Sequence, residues 1–211
     1  IDPEGARVGG FRTMVEAVAM RTTGLGGDSE VQLVNVGLEG TLRLGPRRLI
    51  PVSLMASEHP EMVHAALDRA LATEVASEFD GRFVQPMAGQ TGGLSPREAA
   101  LLARITHAMP LAQPITSRLE VAAMERLVAR GLVMISGVTP SDASHVLGRL
   151  DSWDALAAEK AVRLLGRRRT AKGTRYSSEP AAFATQIIDQ LTAQTVDCLL
   201  EAAFAEDPAF A

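Results

Sequence analysis

Arg21-Thr22-Thr23-Gly24-Leu25-Gly26-Gly27-Asp28-Ser29-Glu30 is the stretch around which the rest of this chain is read. Three glycines fall within four positions, followed by an acid and a hydroxyl, and apolar runs of strand character lie on both sides. Glycine reaches positive φ and carries no side chain, so the backbone here can approach another group closely. A turn of this kind can also gather N–H groups into an anion-binding concavity. A tight turn that only re-aims the chain would use the same residues, and a short glycine pattern does not separate the two readings.

Working outward, residues 6–54 read as β-rich. Met14, Val15, Ala17, Val18 and Met20 suit a buried strand over 13–21. Short runs at 30–36, 41–44 and 49–54 follow, separated by Gly37, Gly40 and Gly45-Pro46, which are turn signals. Helical period takes over at 60–79, where Met62, Val63, Ala66, Leu67, Ala70, Leu71, Val75 and Phe79 share one face. Pro60 fits the first turn of that helix, where its missing N–H is harmless. The glycine-rich stretch 80–94 reads as loop. It divides an α+β part (1–80) from a helical part (95–211), with 81–94 as the linker.

The helical part has clear start signals. Ser95-Pro96-Arg97-Glu98 is a capping box with proline at the first helical position. A second helix begins near Ser117, turns Val121, Met124, Leu127 and Val128 inward, and stops at Gly131. A strand at 132–135 completes a helix-turn-helix or winged-helix spacing. Yet Glu120 and Glu125 interleave with Arg118, Arg126 and Arg130, whereas a recognition helix needs an outer face with little acid. Thr139-Pro140-Ser141-Asp142 is a second box. Either Asp142 only supports the helix start, or it points into a cleft and orients a substrate or the glycine loop. Asp151 is the expected cap of the next helix, which carries Leu156, Val162, Leu164 and Leu165. Arg167-Arg168-Arg169 closes that helix and complements its dipole. A polar connection at 170–178 leads to a long final helix over 180–206.

Composition narrows the function classes. With 211 residues the chain can bury a substantial core, and with aromatics at 4% that core must come from Leu, Val, Ile, Met and Ala. The net charge of −4 argues against the nucleic-acid backbone as main partner, since such binding needs a basic surface. A lone cysteine, Cys198, excludes an internal disulfide framework and suits a reducing compartment. No long apolar run suggests a membrane span, so a cytoplasmic protein is expected. His59, His64, His107 and His145 form no ligand pair at metal spacing, so no metal site is expected. Nucleophile-elbow, zinc-protease and phosphate-loop motifs are all missing. The opening Ile1-Asp2-Pro3-Glu4-Gly5 reads as a piece of a longer polypeptide.

Four segments together resemble the hydantoinase A/oxoprolinase family, closest to its shorter hydantoin utilization protein A subgroup. They are Val8-Gly9-Gly10-Phe11-Arg12-Thr13-Met14-Val15-Glu16-Ala17, the Gly24-Leu25-Gly26-Gly27-Asp28-Ser29-Glu30 loop, Leu44-Gly45-Pro46-Arg47-Arg48, and Gly137-Val138-Thr139-Pro140-Ser141-Asp142-Ala143 with His145-Val146-Leu147-Gly148-Arg149. The resemblance spans essentially the whole chain. It implies an actin/sugar-kinase-like ATPase in the parent protein, which uses ATP and Mg to open a cyclic amide such as a hydantoin or oxoproline ring. An unstrained lactam is a poor electrophile; phosphorylating its carbonyl oxygen makes the carbon more reactive, and positioning and charge supply most of the catalysis of phosphoryl transfer. The resemblance further implies a hydantoinase B-like partner subunit. A homodimer through the final helix is a separate expectation. The acidic Asp-x-Gly-Gly-Thr phosphate motifs and the adenosine motif of the family are absent, so the segment alone is expected to be inactive. Asp28 stands where many relatives have glycine, and Leu25 where alanine is common. The residues that carry over as substrate or cleft candidates are Gly24, Gly26, Gly27, Asp28, Ser29, Thr139 and Asp142.

Overall fold

The computed structural model describes residues 23–206, preceded by two short paired strands, β1 (Arg7–Val8) and β2 (Phe11–Arg12). The strand expected over 13–21 lies outside the described residues, as does most of the first family-like segment. The fold mixes strands and helices, in keeping with an α+β class.

The glycine loop feeds an antiparallel hairpin of β3 (Ser29–Val36) and β4 (Glu39–Arg48), turned at Gly37 with φ +62°. Side chains alternate across a strand. Val31, Leu42 and Leu44 therefore face inward while Thr41 and Arg43 face out. A bulge between Ser29 and Val31 shifts the register where the hairpin leaves the loop.

A second, mixed sheet has the order β5-β8-β6-β7, with β5 (Ile50–Pro51), β6 (Phe83–Pro86), β7 (Met109–Pro110) and β8 (Val133–Gly137). β5 runs parallel to β8, and the other pairs are antiparallel. This sheet separates two apolar cores. Neighbours on one strand go to opposite sides: Phe83 joins the core with Val52, Met55, Leu67, Ala161 and Phe183, and Val84 joins the core with Leu101, Ile105, Leu127 and Val133. The first core is covered by α1 (Val52–Glu58), α2 (Pro60–Ala72), α6 (Ala155–Gly166) and α7 (Pro180–Glu206), and the second by α3 (Pro96–Arg104) and α4 (Arg118–Ala129). A short helix, α5 (Pro140–Val146), follows β8.

Several expectations need correction. The run 49–54 is a strand only at Ile50–Pro51, and helix α1 begins at Val52. Helix α2 stops at Ala72, leaving Val75 80% exposed in the following loop. The stretch 80–94 contains β6, an interior strand of the mixed sheet. That sheet takes β5 from the first part, β6 from the linker, and β7 and β8 from the helical part, so 81–94 runs through the fold. The connection between α3 and α4 spans 105–117 and contributes β7, whereas a helix-turn-helix joins its helices by three or four residues. Asp154, whose carboxylate accepts from the Ala157 amide at 2.8 Å, caps α6 in place of Asp151. Leu156 points outward, because Ala157, Ala158, Ala161, Val162 and Leu164 form the buried stripe of that helix.

The long final helix has the expected bounds. Its first half buries Phe183, Ala184 and Ile187. Further on, the Gln194 side chain meets the backbone of β4: Leu44 N–H donates to Gln194 Oε1 at 2.8 Å, and Gln194 Nε2 donates to the Leu44 carbonyl at 3.1 Å. No helix among the described residues is long and apolar enough to cross a membrane.

Candidate functional site

Three of the family-like segments meet at one place. The loop around Gly24–Ser29, the Gly45-Pro46 step, which β4 runs through without the expected turn, and the start of α5 lie 90 or more positions apart at their extremes, and direct contacts join them. Gly27 O accepts from Ser141 N–H at 2.9 Å, Val138 O from Val31 N–H at 3.2 Å, and Asp28 O from Leu49 N–H at 2.8 Å. Inside the loop, the Gly26 amide donates to Ser29 Oγ at 2.8 Å, and Ser29 N–H donates to Gly26 O at 3.1 Å. Ser29 is 1% exposed, so its hydroxyl is spent on the loop itself. Asp28 forms an ion pair with Arg48 at the rim.

Glycine suits this convergence, most strictly at Gly45. A Cβ on Gly27 would sit 2.8 Å from Ser141 Oγ, and one on Gly24 would sit 3.0 Å from the Pro46 side chain. At Gly45, where φ is +62°, a Cβ would fall 2.4 Å from the Gly24 carbonyl oxygen. Gly26 alone has room for a side chain, with Asp28 Oδ1 at 3.7 Å. The positions a Cβ would take on Gly24 and Gly27 therefore face their own chain, and the Gly26 amide is occupied by Ser29.

Thr139 and Asp142 adjoin this junction but turn the other way. Thr139 Oγ1 and Asp142 form the expected box: the Thr139 amide and hydroxyl each lie 2.9 Å from Asp142 Oδ2, and the Asp142 amide returns a contact to Thr139 Oγ1. The same carboxylate crosses to the start of α1. It accepts from the Ser53 amide at 2.8 Å, the Ser53 hydroxyl at 2.7 Å and the Val52 amide at 3.2 Å. Asp142 and Thr139 are both fully buried. Desolvation pushes the Asp142 carboxyl above the ordinary 3.8, and the hydrogen bonds from Ser53 and Thr139 oppose that rise. Asp142 is thus a clasp between two helix starts, with no face toward solvent.

The sequence reading missed His145 and Trp153. Their rings stack at 5.4 Å with 16° between planes. His145 Nδ1 contacts the Ser141 carbonyl at 2.8 Å, and Nε2 accepts from the Trp153 amide at 3.1 Å, which makes Nδ1 the protonated nitrogen. Ser141 therefore links the glycine loop on one side to this ring pair on the other. Glu30 was also missed. Only 8% exposed, it pairs with Arg82 at 2.6 Å and Arg47 at 3.7 Å, while Arg82 Nε stays buried without a partner.

Of the arginines considered for DNA reading, Arg126 is engaged with an acid and Arg130 with the Gln90 and Gly92 carbonyls. Arg126 pairs with Glu98 and Arg104 with Glu120 across the α3–α4 contact. The Arg126 hydrogen bond, followed by the Ser95 amide and hydroxyl, lowers the Glu98 carboxyl to about 2. The Thr116 amide and then Arg104 do the same for Glu120, also to about 2. Among the described residues no group of three or more His, Cys, Asp or Glu could hold a metal ion.

Comparison with family models, with curated proteins and with solved structures returns no match to this chain.

Proposed function

We propose that this chain is a segment of an ATP-dependent cyclic-amide hydrolase of the hydantoinase A/oxoprolinase type, in which it forms cleft wall and inter-lobe packing. The triphosphate and its magnesium are held by other parts of the parent, and a hydantoinase B-like subunit is the expected partner. One observation carries the reading. The three described segments on which the family resemblance rests are far apart in sequence, yet they interlock through Gly27, Gly45, Val138 and Ser141. Motifs that merely recur by chance have no reason to share one junction. In this reading the glycines set the wall's shape, and Asp28 at its rim, paired with Arg48, is the candidate nearest to substrate.

Phosphate release from Mg-ATP by the intact polypeptide is expected to rise when hydantoin or 5-oxoproline is added. Gly27→Val should abolish that stimulation with circular dichroism preserved, because a side chain there meets Ser141. If neither ring compound stimulates release, with the partner subunit present or absent, the proposal is wrong.

A further inference from the structure

The polar connection after α6 is built in a way that the reading above does not use. Residues 169–175 fold back on themselves: Thr170 N–H donates to Thr174 O at 2.8 Å, Gly173 turns at φ +83°, and Arg169 and Arg175 form an antiparallel bridge. Tyr176 N–H donates to Arg168 O at 3.0 Å, and the Tyr176 hydroxyl donates to Val34 O at 3.1 Å, which ties the connection to the hairpin. Two arginines are thereby held opposite each other on paired backbone, where like charges are destabilising.

Around this bridge lies a cavity of about 720 Å³, lined by Arg167, Arg168, Arg169 and Arg175 and also by Glu74 and Glu78. A neighbouring cavity of about 450 Å³ is lined by Arg163, Arg167 and Arg175 together with Glu74 and Glu179. Arg167 is committed to Asp80 and the Thr73 carbonyl, and Arg169 to the Gly173 carbonyl. The Arg168 and Arg175 side chains have neither ion pair nor hydrogen bond among the described residues. A chain with a net charge of −4 has gathered four guanidinium groups around one cavity and left two of them unpaired.

We propose that this cleft at the C-terminal end of α6 binds a small polyanion of the diphosphate type, with Arg168 and Arg175 as its principal ligands. Guanidinium groups present a planar fork of donors that matches phosphate oxygens two at a time. Two free forks beside two adjoining cavities suit a ligand with two anionic groups in series. Single-stranded nucleic acid fits less well, because no aromatic side chain lines either cavity to stack a base. Glu74 and Glu78 oppose the ligand's charge and tune affinity downward. The inference does not depend on the hydrolase reading.

Titration calorimetry of the chain with pyrophosphate, and with inorganic phosphate alongside, tests it. Pyrophosphate should bind in a salt-sensitive manner and more tightly than phosphate. Arg168→Gln and Arg175→Gln should each weaken it at least tenfold, and Glu78→Gln should tighten it. Arg175 is exposed, so its variant is expected to fold even if the Arg168 variant does not. No binding of pyrophosphate, binding unchanged in both arginine variants, or tighter binding of a short single-stranded oligonucleotide would each overturn the proposal. Neither arginine variant should alter stimulation of phosphate release by a cyclic amide, so the two proposals fail separately.

Discussion

The two capping boxes of this molecule use one local device in opposite surroundings. At Ser95–Glu98 the carboxylate sits beside Arg126, and the guanidinium holds it ionised at the margin of the second core. At Thr139–Asp142 the carboxylate forms no ion pair among the described residues. The carboxylate is buried and accepts only from neutral groups, three of them at the start of α1. The first box serves its own helix and ties it to α4 by charge. The second joins two helix starts by desolvated hydrogen bonds, where leaving a partner unmet is most costly. Identical spacing therefore says nothing about how much of the fold depends on a box; burial decides that.

Removing the buried acceptor should have the largest effect. Asp142→Ala strands the amides of Val52, Ser53 and Thr139 and two hydroxyls. A buried unsatisfied group costs about 1–3 kcal/mol, so a loss of about 4 kcal/mol or more is expected in urea unfolding. A loss under about 1 kcal/mol would mean that the clasp is not a major support. Ser53→Ala removes one hydroxyl donor and leaves the amide in place, and should cost about 1 kcal/mol. Glu98→Gln should have the smallest effect, because its partner Arg126 is more than half exposed.

Acid titration of stability sharpens the contrast, because the two carboxyls act with opposite sign. The folded-state value of Glu98 lies below its ordinary 4.5, so its contribution is present above that pH and is lost as pH falls toward about 2. The folded-state value of Asp142 lies above the ordinary 3.8, so the folded form binds more protons over the interval above 3.8, and stability falls there as pH rises. Subtracting the Glu98→Gln curve from the parent curve should therefore leave a difference that grows with pH between 2 and 5. The same subtraction with Asp142→Asn should leave one that declines with rising pH above 3.8. Slopes of the same sign would remove the distinction between the boxes.

Both boxes could be read from the sequence because capping is local: a hydroxyl, a proline and an acid within four positions state their own geometry. The partner of Asp142 could not be read that way. Ser53 lies 89 positions away, in an apolar run too short for periodicity to separate strand from helix. Strand β6 was hidden for a related reason. Its four residues are flanked by glycines and gain their identity only from β8 and β7 on either side. The choice of Asp151 over Asp154 failed because both acids precede the helix at plausible cap distance, and the stacked Trp153 sets where the chain enters α6. The meeting of the glycine loop with Ser141 was likewise a tertiary fact, invisible in either segment by itself.

The contact between Gln194 and Leu44 has a consequence of another kind. A two-stranded hairpin leaves backbone donors and acceptors along its rim, and any extended segment of a foreign protein can pair with them. At Leu44 both groups are already taken by one side-chain amide that imitates the peptide unit of an absent strand. The last helix thus keeps the Leu44 backbone groups from pairing with another strand.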